Sequence, residues 1–580
     1  MLRDLARSAP RTAPWLERAI ASLRNAAFDW RAVVLVALVS LCAALPGVAG
    51  MPVMDVDEAR FAQASRQMLE SGDFVRIRLQ SEERHRKPAG VHWLQAGATA
   101  ALLPLAGRQN AIWTYRLPSV LGALLAALAT LWAGRTLLGP PTALLGACLL
   151  GSSMLVGFEG MTAKTDALML GFTTLSLAAL APLRAAHFGH ASPLSVARAR
   201  RRALIFWAAL ACAILIKGPV PLAIVLLTLL TLAIWDRRTG WLAPLAWWPG
   251  PVLALAIVLP WGLAIGFATD WGFYRSAFGQ DFAPKLAGQD HAHGGVFGYH
   301  LLLAPLLMFP AAFVLPAVAR ALFARRAGAA DASALRFLIA WAAPTWLMFE
   351  LSPGKLIHYA MPVYPALALL GASGFLLAVR NGWRWTLWIG AGLFLISGWA
   401  LSAATGVGLS ALSAPPPRAV AAAVLCAVIV AAGGYGLLAL RSGAARASAA
   451  IAAGLLLCIV LRGAILPALP QLQVSARSAA ALAALDAPGA LWVVGYDEPS
   501  IVFLTRTSAA IVDAEQAARR AAPGDAILVE RQHLETVRTL LASRALVLDA
   551  HQPAIDGISM SANRPVSLVA GAVVTSVDGD

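Results

Sequence analysis

Hydrophobic positions in this sequence gather into long runs that are separated by short segments rich in arginine. Each run is near the ~20 residues that a helix needs to cross the hydrocarbon core of a bilayer, once tilting is allowed. The pattern therefore predicts about 13 transmembrane helices. The predicted segments are 31–50, 115–134, 140–158, 165–183, 203–217, 219–235, 244–266, 298–319, 335–352, 358–379, 385–402, 418–440 and 448–468.

One further apolar run, 88–107, is assigned by the charges of the loops that follow it. Cytoplasmic loops of membrane proteins are enriched in lysine and arginine. If 88–107 does not span, the arginine clusters at 198–202, 237–238 and 325–326 all lie in the cytoplasm, whereas a span would place every one of them outside. We therefore assign 88–107 to a re-entrant or interfacial part of the first outer loop, 51–114.

The N-terminal segment 1–30 contains five arginines before the first apolar run, which predicts a cytoplasmic start. It lacks a short apolar run with a small-residue cleavage site, so we expect the first span to be retained. From that start, the segments 159–166, 267–297 and 355–359 share the outer face with the first loop. We expect residues 31–470 to form the transmembrane domain.

The pattern changes after about residue 470, where the apolar runs shorten to strand length. Turn residues separate these runs, and two amphipathic segments lie between them. This predicts a small α/β domain over 471–580, which an odd number of spans places in the periplasm. The predicted strands are 491–496, 501–505, 526–530, 545–549 and 567–575, and the predicted helices are 513–521 and 531–544.

Composition supports a polytopic membrane protein of mostly α class. Of the 580 residues, 59% are hydrophobic and 13% are charged, and the mean hydropathy is +0.69. The net charge of +16 comes from arginines in short loops, so we exclude nucleic acid as a partner. The five cysteines are scattered through apolar runs, which predicts neither a disulfide framework nor a thiolate metal site.

The first outer loop is the most charged part of the first third of the chain. Apolar residues at helical spacing from Phe61 predict an interfacial helix with Asp57 near its N-terminus. Glu58 and Arg60 follow Asp57, and a basic run, 84–88, comes after the helix. Acids followed by a basic cluster favour a site for a phosphate-bearing ligand; the alternative is a solvated loop that contacts lipid head groups. The candidate phosphate contacts in the basic run are Arg84, Arg86 and Lys87.

Ionisable residues at other loop and span boundaries add candidates on the same face. Asp166 opens a span, where helix capping is the alternative role, and Lys217 could snorkel to the interface. Asp57 and Asp166 together could hold a divalent cation, the one cofactor that the pattern allows, or one of them could act as a base. His291 and His293 form a weak metal signal. Lys355, His358 and Tyr359 open another span from the outer face. The lysine and the histidine suit an anionic head group, whereas anchoring at the membrane interface explains the tyrosine equally well.

Several of these stretches occur in an order that resembles a known family. DEARFAQASRQMLESGDF, RKPAGVHWLQA, RLPSVLGALLA, TDALML, KGPV, LPWGLA and SPGKLIHYAMPVYPALALL, over about residues 30–380, are similar to motifs of the aminoarabinose transferase branch of the protein O-mannosyltransferase superfamily. These are membrane glycosyltransferases of the type C fold. The sequence differs from the family pattern at Phe61, where a tyrosine is common, and at His85 and Arg86.

The resemblance implies a polyprenyl-phosphate-linked sugar donor and an inverting transfer, at the periplasmic face of the inner membrane, to lipid A or another envelope acceptor. The family's first-loop acid falls on Asp57, its second acid on Asp166 and its donor-phosphate lysine on Lys87. We therefore predict a membrane glycosyltransferase that moves a pentose or a hexose. Lys217 and Lys355 join the phosphate contacts, and the predicted substrate contacts are Glu58, Arg60, His291, His293, His358 and Tyr359.

Two other classes of function remain open from the sequence. A lipid-linked sugar transporter or flippase predicts charges near the bilayer midplane and paired broken spans. A non-catalytic envelope protein would use the C-terminal domain for binding. The candidate charges gather at one face instead, which favours the transferase.

Overall fold

The computed structural model describes residues 30–55, 57–277, 279, 295–323, 329–412 and 415–576. Most of these residues are helical. Helices α1 to α18 form the first and larger part of the fold. In chain order they are Trp30–Ala44, Glu58–Ser71, Gly90–Ala106, Ile112–Leu138, Pro140–Gly151, Met154–Gly160, Asp166–His187, Val196–Lys217, Pro219–Asp236, Pro249–Ala268, Gly272–Ser276, Tyr299–Leu307, Leu315–Phe323, Ala329–Leu351, Tyr364–Arg380, Arg384–Ser410, Pro417–Ala439 and Gly443–Cys458.

Within the described residues, nine helices are long and apolar enough to cross a membrane. A tenth candidate is the pair α5 and α6, which is bent by 59° between Gly151 and Met154. Each predicted apolar segment coincides with a helix or a broken helix, and 298–319 is broken between α12 and α13. The chain is therefore a multi-pass membrane protein, and the count of 13 spans stays a prediction. The segment 88–107 forms the 17-residue helix α3.

Close packing of α4 against α7 fixes the position of Asp166 at the start of α7. A Cβ on Gly122 of α4 would lie 2.6 Å from the Ala167 carbonyl carbon, and a Cβ on Gly171 of α7 would lie 2.5 Å from the Gly122 carbonyl oxygen. Glycine at both positions lets the two backbones touch, as small residues do between membrane helices. The N-terminus of α7 is therefore held directly against α4.

A sheet with helices on both faces follows the last membrane helices. Its strand order is β4-β3-β5-β8-β6, and β7 pairs with β8. Strands β3, β4 and β5 are parallel, while β8 runs antiparallel to β5, β6 and β7. We call the segment 474–575 the sheet module. Its strands are β3 Leu491–Val494, β4 Ala510–Val512, β5 Ala526–Glu530, β6 Leu546–Asp549, β7 Ile555–Ser559 and β8 Arg564–Thr575; β1 Arg78–Leu79 and β2 Glu82–Glu83 form a hairpin in the first loop.

Alternating side chains on the central strands build two cores in the sheet module. Val493 and Leu528 pack with helices α19, Val474–Ala483, and α20, Pro499–Leu504. The opposite face of the sheet packs with α21 and α22, of which Leu541 is fully buried. Helix α21 spans Ala514–Arg520 and helix α22 spans Arg531–Ala542.

The strand predicted at 501–505 is wrong, because this segment forms α20. Pro499 occupies the first position of the helix, where its fixed φ and missing N–H are tolerated. Ile501, Val502 and Phe503 are all buried, so the run is apolar because it packs on both the sheet and the first loop. A short apolar run alone does not distinguish a strand from a buried helix.

Candidate functional site

The helix that was predicted from Phe61 onward is α2, and Asp57 is its N-cap residue. The Asp57 side chain is exposed and makes no capping hydrogen bond. Gly72 ends the helix in the left-handed conformation, with φ of 70°, which glycine adopts without strain. The carboxylate of Asp57 is therefore free of a structural role in the helix and is accessible to a ligand.

Glu58 points in a different direction from Asp57 and is fully buried. Its carboxylate receives two hydrogen bonds of 2.8 Å from the Arg116 guanidinium and one each from the Met54 and Ala163 backbone N–H groups, at 2.8 and 2.7 Å. Adjacent helical residues point about 100° apart, so Asp57 and Glu58 cannot share a face. The prediction of Glu58 as a substrate contact is corrected: it anchors the loop.

Arg116, which the sequence analysis gave no role, ties the first loop to the end of the first apolar helix. Besides Glu58, its guanidinium donates to the carbonyl oxygens of Val48, Met51 and Pro52 at 2.8 to 3.0 Å. A buried arginine with this many partners is a fixed structural group. The sequence feature that could have indicated this role is a single arginine at the start of an apolar run, where a charge is costly unless it is paired.

Asp166 is the centre of a buried charged cluster at the N-terminus of α7. The Lys217 ammonium donates to its Oδ1, and His358 Nε2 lies 3.5 Å from the same oxygen. Glu159 lies on the far side of the imidazole, 4.0 Å from His358 Nδ1, and accepts a hydrogen bond of 3.0 Å from Lys164. The fold thus brings together three residues that were each predicted separately as site residues: Asp166, Lys217 and His358.

Lys164 and Glu159 are functional candidates that the sequence analysis did not single out. Burial on its own lowers the pKa of Lys164, but the carboxylates of Glu159, Asp166 and Asp57 raise it above its ordinary value. Lys164 therefore stays charged beside Glu159 and Asp166, and Asp57 adds a smaller effect of the same sign. Both residues lie in the segment 159–166. The only feature of the sequence that could have pointed to them is the predicted position of this segment on the outer face.

The basic run lines a polar cavity beside α2. Its volume is about 370 Å³. The Arg84 guanidinium lies 4.7 Å from the centre of the Phe61 ring, and His85 Nε2 lies 2.8 Å from Glu83 Oε2. Lys87 is half-buried in the turn that precedes α3. The cavity is lined by Arg60, Leu79, Glu82, Glu83, Arg84, His85, Arg86 and Ser276.

Contact between α3 and α8 brings the basic run toward Lys217. A Cβ on Gly90 would lie 2.7 Å from the Leu215 carbonyl oxygen, so the backbones touch. Lys87 comes three residues before Gly90, and three residues span at most ~10 Å. Lys217 follows Leu215 by two residues, so both lysines belong to the region where these two helices meet.

Lys355 and Tyr359 make mainly structural contacts. Lys355 is buried, and its ammonium donates to the Ser352 carbonyl oxygen at 2.8 Å. The Tyr359 ring stacks edge-on against His358, with 5.3 Å between the ring centres, and lies 5.9 Å from the Phe349 ring. The predicted contacts His291 and His293 lie outside the described residues.

A multi-pass helical chain with a buried charged cluster and a basic cavity beside its first-loop helix defines a membrane protein with a polar site. Residues 32–270 match the family described as dolichyl-phosphate-mannose-protein mannosyltransferase. An undecaprenyl phosphate-α-4-amino-4-deoxy-L-arabinose arabinosyl transferase from Pectobacterium atrosepticum is 29% identical over 351 residues, which are 59% of this chain and 58% of that protein. A protein of the same description from Pseudomonas aeruginosa is 31% identical over 332 residues, or 56% of each chain.

The crystal structure of ArnT from Cupriavidus metallidurans bound to undecaprenyl phosphate has the same fold, with a TM-score of 0.73 and 22% identity over 94% of this chain and 98% of that chain. The resemblance predicted from the ordered motifs is confirmed: over the matched segments the chain is similar to the protein mannosyltransferase family and to aminoarabinose transferases, and it has the type C fold of the ArnT structure. The matched segments span little more than half the length of the curated relatives.

Proposed function

We propose that this chain is an inverting glycosyltransferase that moves a sugar from a polyprenyl-phosphate donor to lipid A or another envelope acceptor. The observation that carries the proposal is the exposed Asp57 carboxylate at the start of α2, together with the buried cluster of Asp166, Lys217 and His358 and with Lys164, whose pKa all three of Glu159, Asp166 and Asp57 raise. The confirmed family resemblance and the names of the relatives support the same class of donor.

Transfer breaks the bond between the sugar carbon and the phosphate oxygen, and both electrons of that bond stay on the oxygen. Lys87, with Arg84 and Arg86 nearby, stabilises the charge that develops on the leaving polyprenyl phosphate. Lys217 is neutralised by Asp166, so it holds the N-terminus of α7 in place rather than carrying an open charge.

The acceptor attacks from the side opposite to the phosphate, which inverts the configuration at the sugar carbon. If the acceptor is a hydroxyl, Asp57 takes its proton as attack proceeds. If the acceptor is a phosphate, its oxygen is already anionic, and Asp57 orients the acceptor instead. Both roles need an exposed carboxylate at the edge of the site.

A divalent cation between Asp57 and Asp166 fits these residues poorly. Asp166 faces the two lysines and His358, which repel a cation when they are charged. No group of three histidine, cysteine, aspartate or glutamate side chains suited to a metal occurs in the described part of the chain. We therefore derive no step through a metal ion.

The proposed placement in the membrane puts the site at the periplasmic face. All 13 segments cross the bilayer in this proposal, and 88–107 lies in the interface. Segment 1–30 is then cytoplasmic, while the first loop, 51–114, and the C-terminal domain, 471–580, are periplasmic. The arginine-rich loops carry this argument, because the opposite topology would place all of them outside.

Reporter fusions test this topology. Fusions after residues 195 and 330 are expected to report a cytoplasmic location, and fusions after residues 280 and 480 a periplasmic one. A periplasmic signal at 195 would mean that 88–107 spans, and the grouping of the outer-face residues would then be wrong.

Substitution of Lys87 tests the phosphate contact. Lys87→Ala should lower kcat/KM for the polyprenyl-phosphate donor by about 10–150-fold, because a charge-assisted hydrogen bond contributes about 1.5–3 kcal/mol. Lys87→Arg keeps the charge and should weaken donor use less. Unchanged donor kinetics in well-folded Lys87→Ala protein would remove this lysine from the site.

The activity itself is tested with purified protein and a polyprenyl-phosphate sugar. Mass spectrometry should find a glycosylated acceptor and free polyprenyl phosphate in equal amounts. Comparing lipid A and envelope glycans from cells with and without the gene identifies the acceptor. Donor that crosses a vesicle membrane without cleavage would instead support a flippase.

A further inference from the structure

The sheet module contacts the same first-loop helix that begins at Asp57. The Arg66 guanidinium, on α2, donates to the carbonyl oxygens of Phe503 and Thr505 at 2.7 and 3.4 Å. The Thr507 hydroxyl donates to Glu70 at 2.7 Å, and Gln63 donates to the same hydroxyl at 2.8 Å. These polar contacts hold the outer side of α2 along two of its turns.

Phe503 extends this contact into the core beneath the candidate site. Its side chain is fully buried and meets the Tyr115 ring edge-on, with 5.3 Å between the ring centres. The same apolar cluster contains Ala59, two residues after Asp57, and Ala163, three residues before Asp166. Phe503 of the sheet module therefore belongs to the same buried cluster as residues from both backbone segments that carry the two candidate acids.

Asp55 makes a second contact, just before α2. Its carboxylate accepts hydrogen bonds from the Ser500 backbone N–H at 2.8 Å and from the Ser500 hydroxyl at 2.7 Å. Ser475 lies within hydrogen-bond distance of both the Ser500 and the Tyr496 hydroxyl groups, at 2.6 and 2.8 Å. The turn that leads into Asp57 is thus fixed to the interior of the sheet module.

We propose that the sheet module positions the active-site acid: Ser500 and Phe503, both on α20, hold the turn before α2 and the start of α2 so that Asp57 faces the cluster of Asp166. The inference rests on the proposed function. Ser500 and Phe503 are positioning residues: Ser500 binds Asp55 just before α2, and Phe503 lies in the apolar cluster under the start of α2.

The physical reason is that the sheet module holds α2 from a different side than Glu58 and Arg116 do. Glu58 and Arg116 hold its inner side, whereas the Asp57 side chain makes no capping hydrogen bond to α2 that would orient it. A catalytic group that shifts by ~1 Å can lose about 10²-fold in rate. Contacts from two directions remove that freedom.

The test measures sugar transfer and backbone exchange in the full-length protein. Phe503→Ala should lower kcat by about 10–100-fold and change the donor KM less than about threefold. Hydrogen–deuterium exchange over residues 58–68 should become faster. Phe503→Leu restores most of the volume and should recover most of both properties, which keeps the test informative if the alanine variant folds poorly.

Leu541→Ala is the matched control, because Leu541 is equally buried but packs on the other face of the sheet. It should destabilise the module while kcat and exchange over 58–68 stay unchanged. Equal loss of kcat in Leu541→Ala, or normal kcat in Phe503→Ala, would overturn the positioning role. If the wild-type protein transfers no sugar, the proposed function fails, and the exchange comparison still tests the contact.

The Asp55 contact adds a pH readout that a purely structural role would not give. Burial and the neighbouring Glu498 raise the pKa of Asp55 to about 7, hydrogen bonds from Ser500 oppose this, and Glu58, itself paired with Arg116, adds to the rise. A pKa raised by docking means that docking is strongest below the ordinary pKa of about 4 and weakens as the pH rises through about 7.

After correction for the intrinsic exchange rate at each pH, protection of the amides over 58–68 should therefore be higher at pH 5.5 than at pH 8 in the wild-type protein. Asp55→Asn removes the titration, while its amide oxygen can still accept from the Ser500 N–H, so this difference should disappear. A difference that persists in Asp55→Asn would contradict the contribution of Asp55.

Discussion

Asp57→Asn is expected to lower the rate of sugar transfer by at least about 10²-fold while the protein folds normally. A positioned general base contributes about 10²–10⁴-fold, and asparagine keeps the size of the side chain but cannot accept the proton. Stability should be unaffected, because the Asp57 side chain is exposed and caps nothing. The measurements are single-turnover transfer and thermal unfolding in detergent.

Glu58→Gln is the contrast to Asp57→Asn, since the two acids are neighbours with opposite surroundings. Removing the buried charge leaves Arg116 uncompensated, so stability should fall more than in Asp57→Asn. Asp55 is a poor control, because it contacts Ser500. Folded Asp57→Asn protein that binds donor and transfers sugar at the parent rate would end the assignment.

Arg116→Met is expected to give the largest loss of stability among single substitutions in the first loop. Removing one partner of a buried ion pair costs about 3–5 kcal/mol, because the other charge is left without compensation. Here the loss also releases the carbonyl oxygens of Val48, Met51 and Pro52. The unfolding temperature in detergent measures the effect.

The double variant Glu58→Gln with Arg116→Met separates charge from packing. It removes both charges, and the glutamine oxygen can still accept from one of the backbone N–H groups that now contact Glu58. Its stability should exceed that of Arg116→Met alone. An additive loss in the double variant would show that the two residues do not act as a pair.

The sequence predicted the helices well because the membrane imposes a strict length and polarity on them. It could not decide how α2 is rotated. The direction of Glu58 depends on Arg116, 58 residues later, and no local pattern contains that contact. The loop charges predicted an outward position for Asp57. That its side chain is exposed and caps nothing could be seen only in the structure.

The charged cluster shows the same limit. Asp166, Lys217 and His358 were each chosen because ionisable groups at the membrane edge are costly. Their meeting around one carboxylate depends on close packing of α4 and α7 at Gly122 and Gly171, which a glycine in an apolar run does not reveal. The strand prediction for segment 501–505 was wrong for a related reason. Its side chains are apolar because they pack on both the sheet and the first loop, which the local sequence does not show.

The contact between Asp55 and Ser500 joins residues that are 445 positions apart in the chain. During synthesis the first loop leaves the ribosome long before α20 exists, and domains generally fold as they emerge. The surroundings of Asp55 and Asp57 in the first loop are therefore complete only after the last part of the chain has been synthesised. A growing chain can bind lipid early, but the geometry that we assign to Asp57 is assembled only at the end of translation.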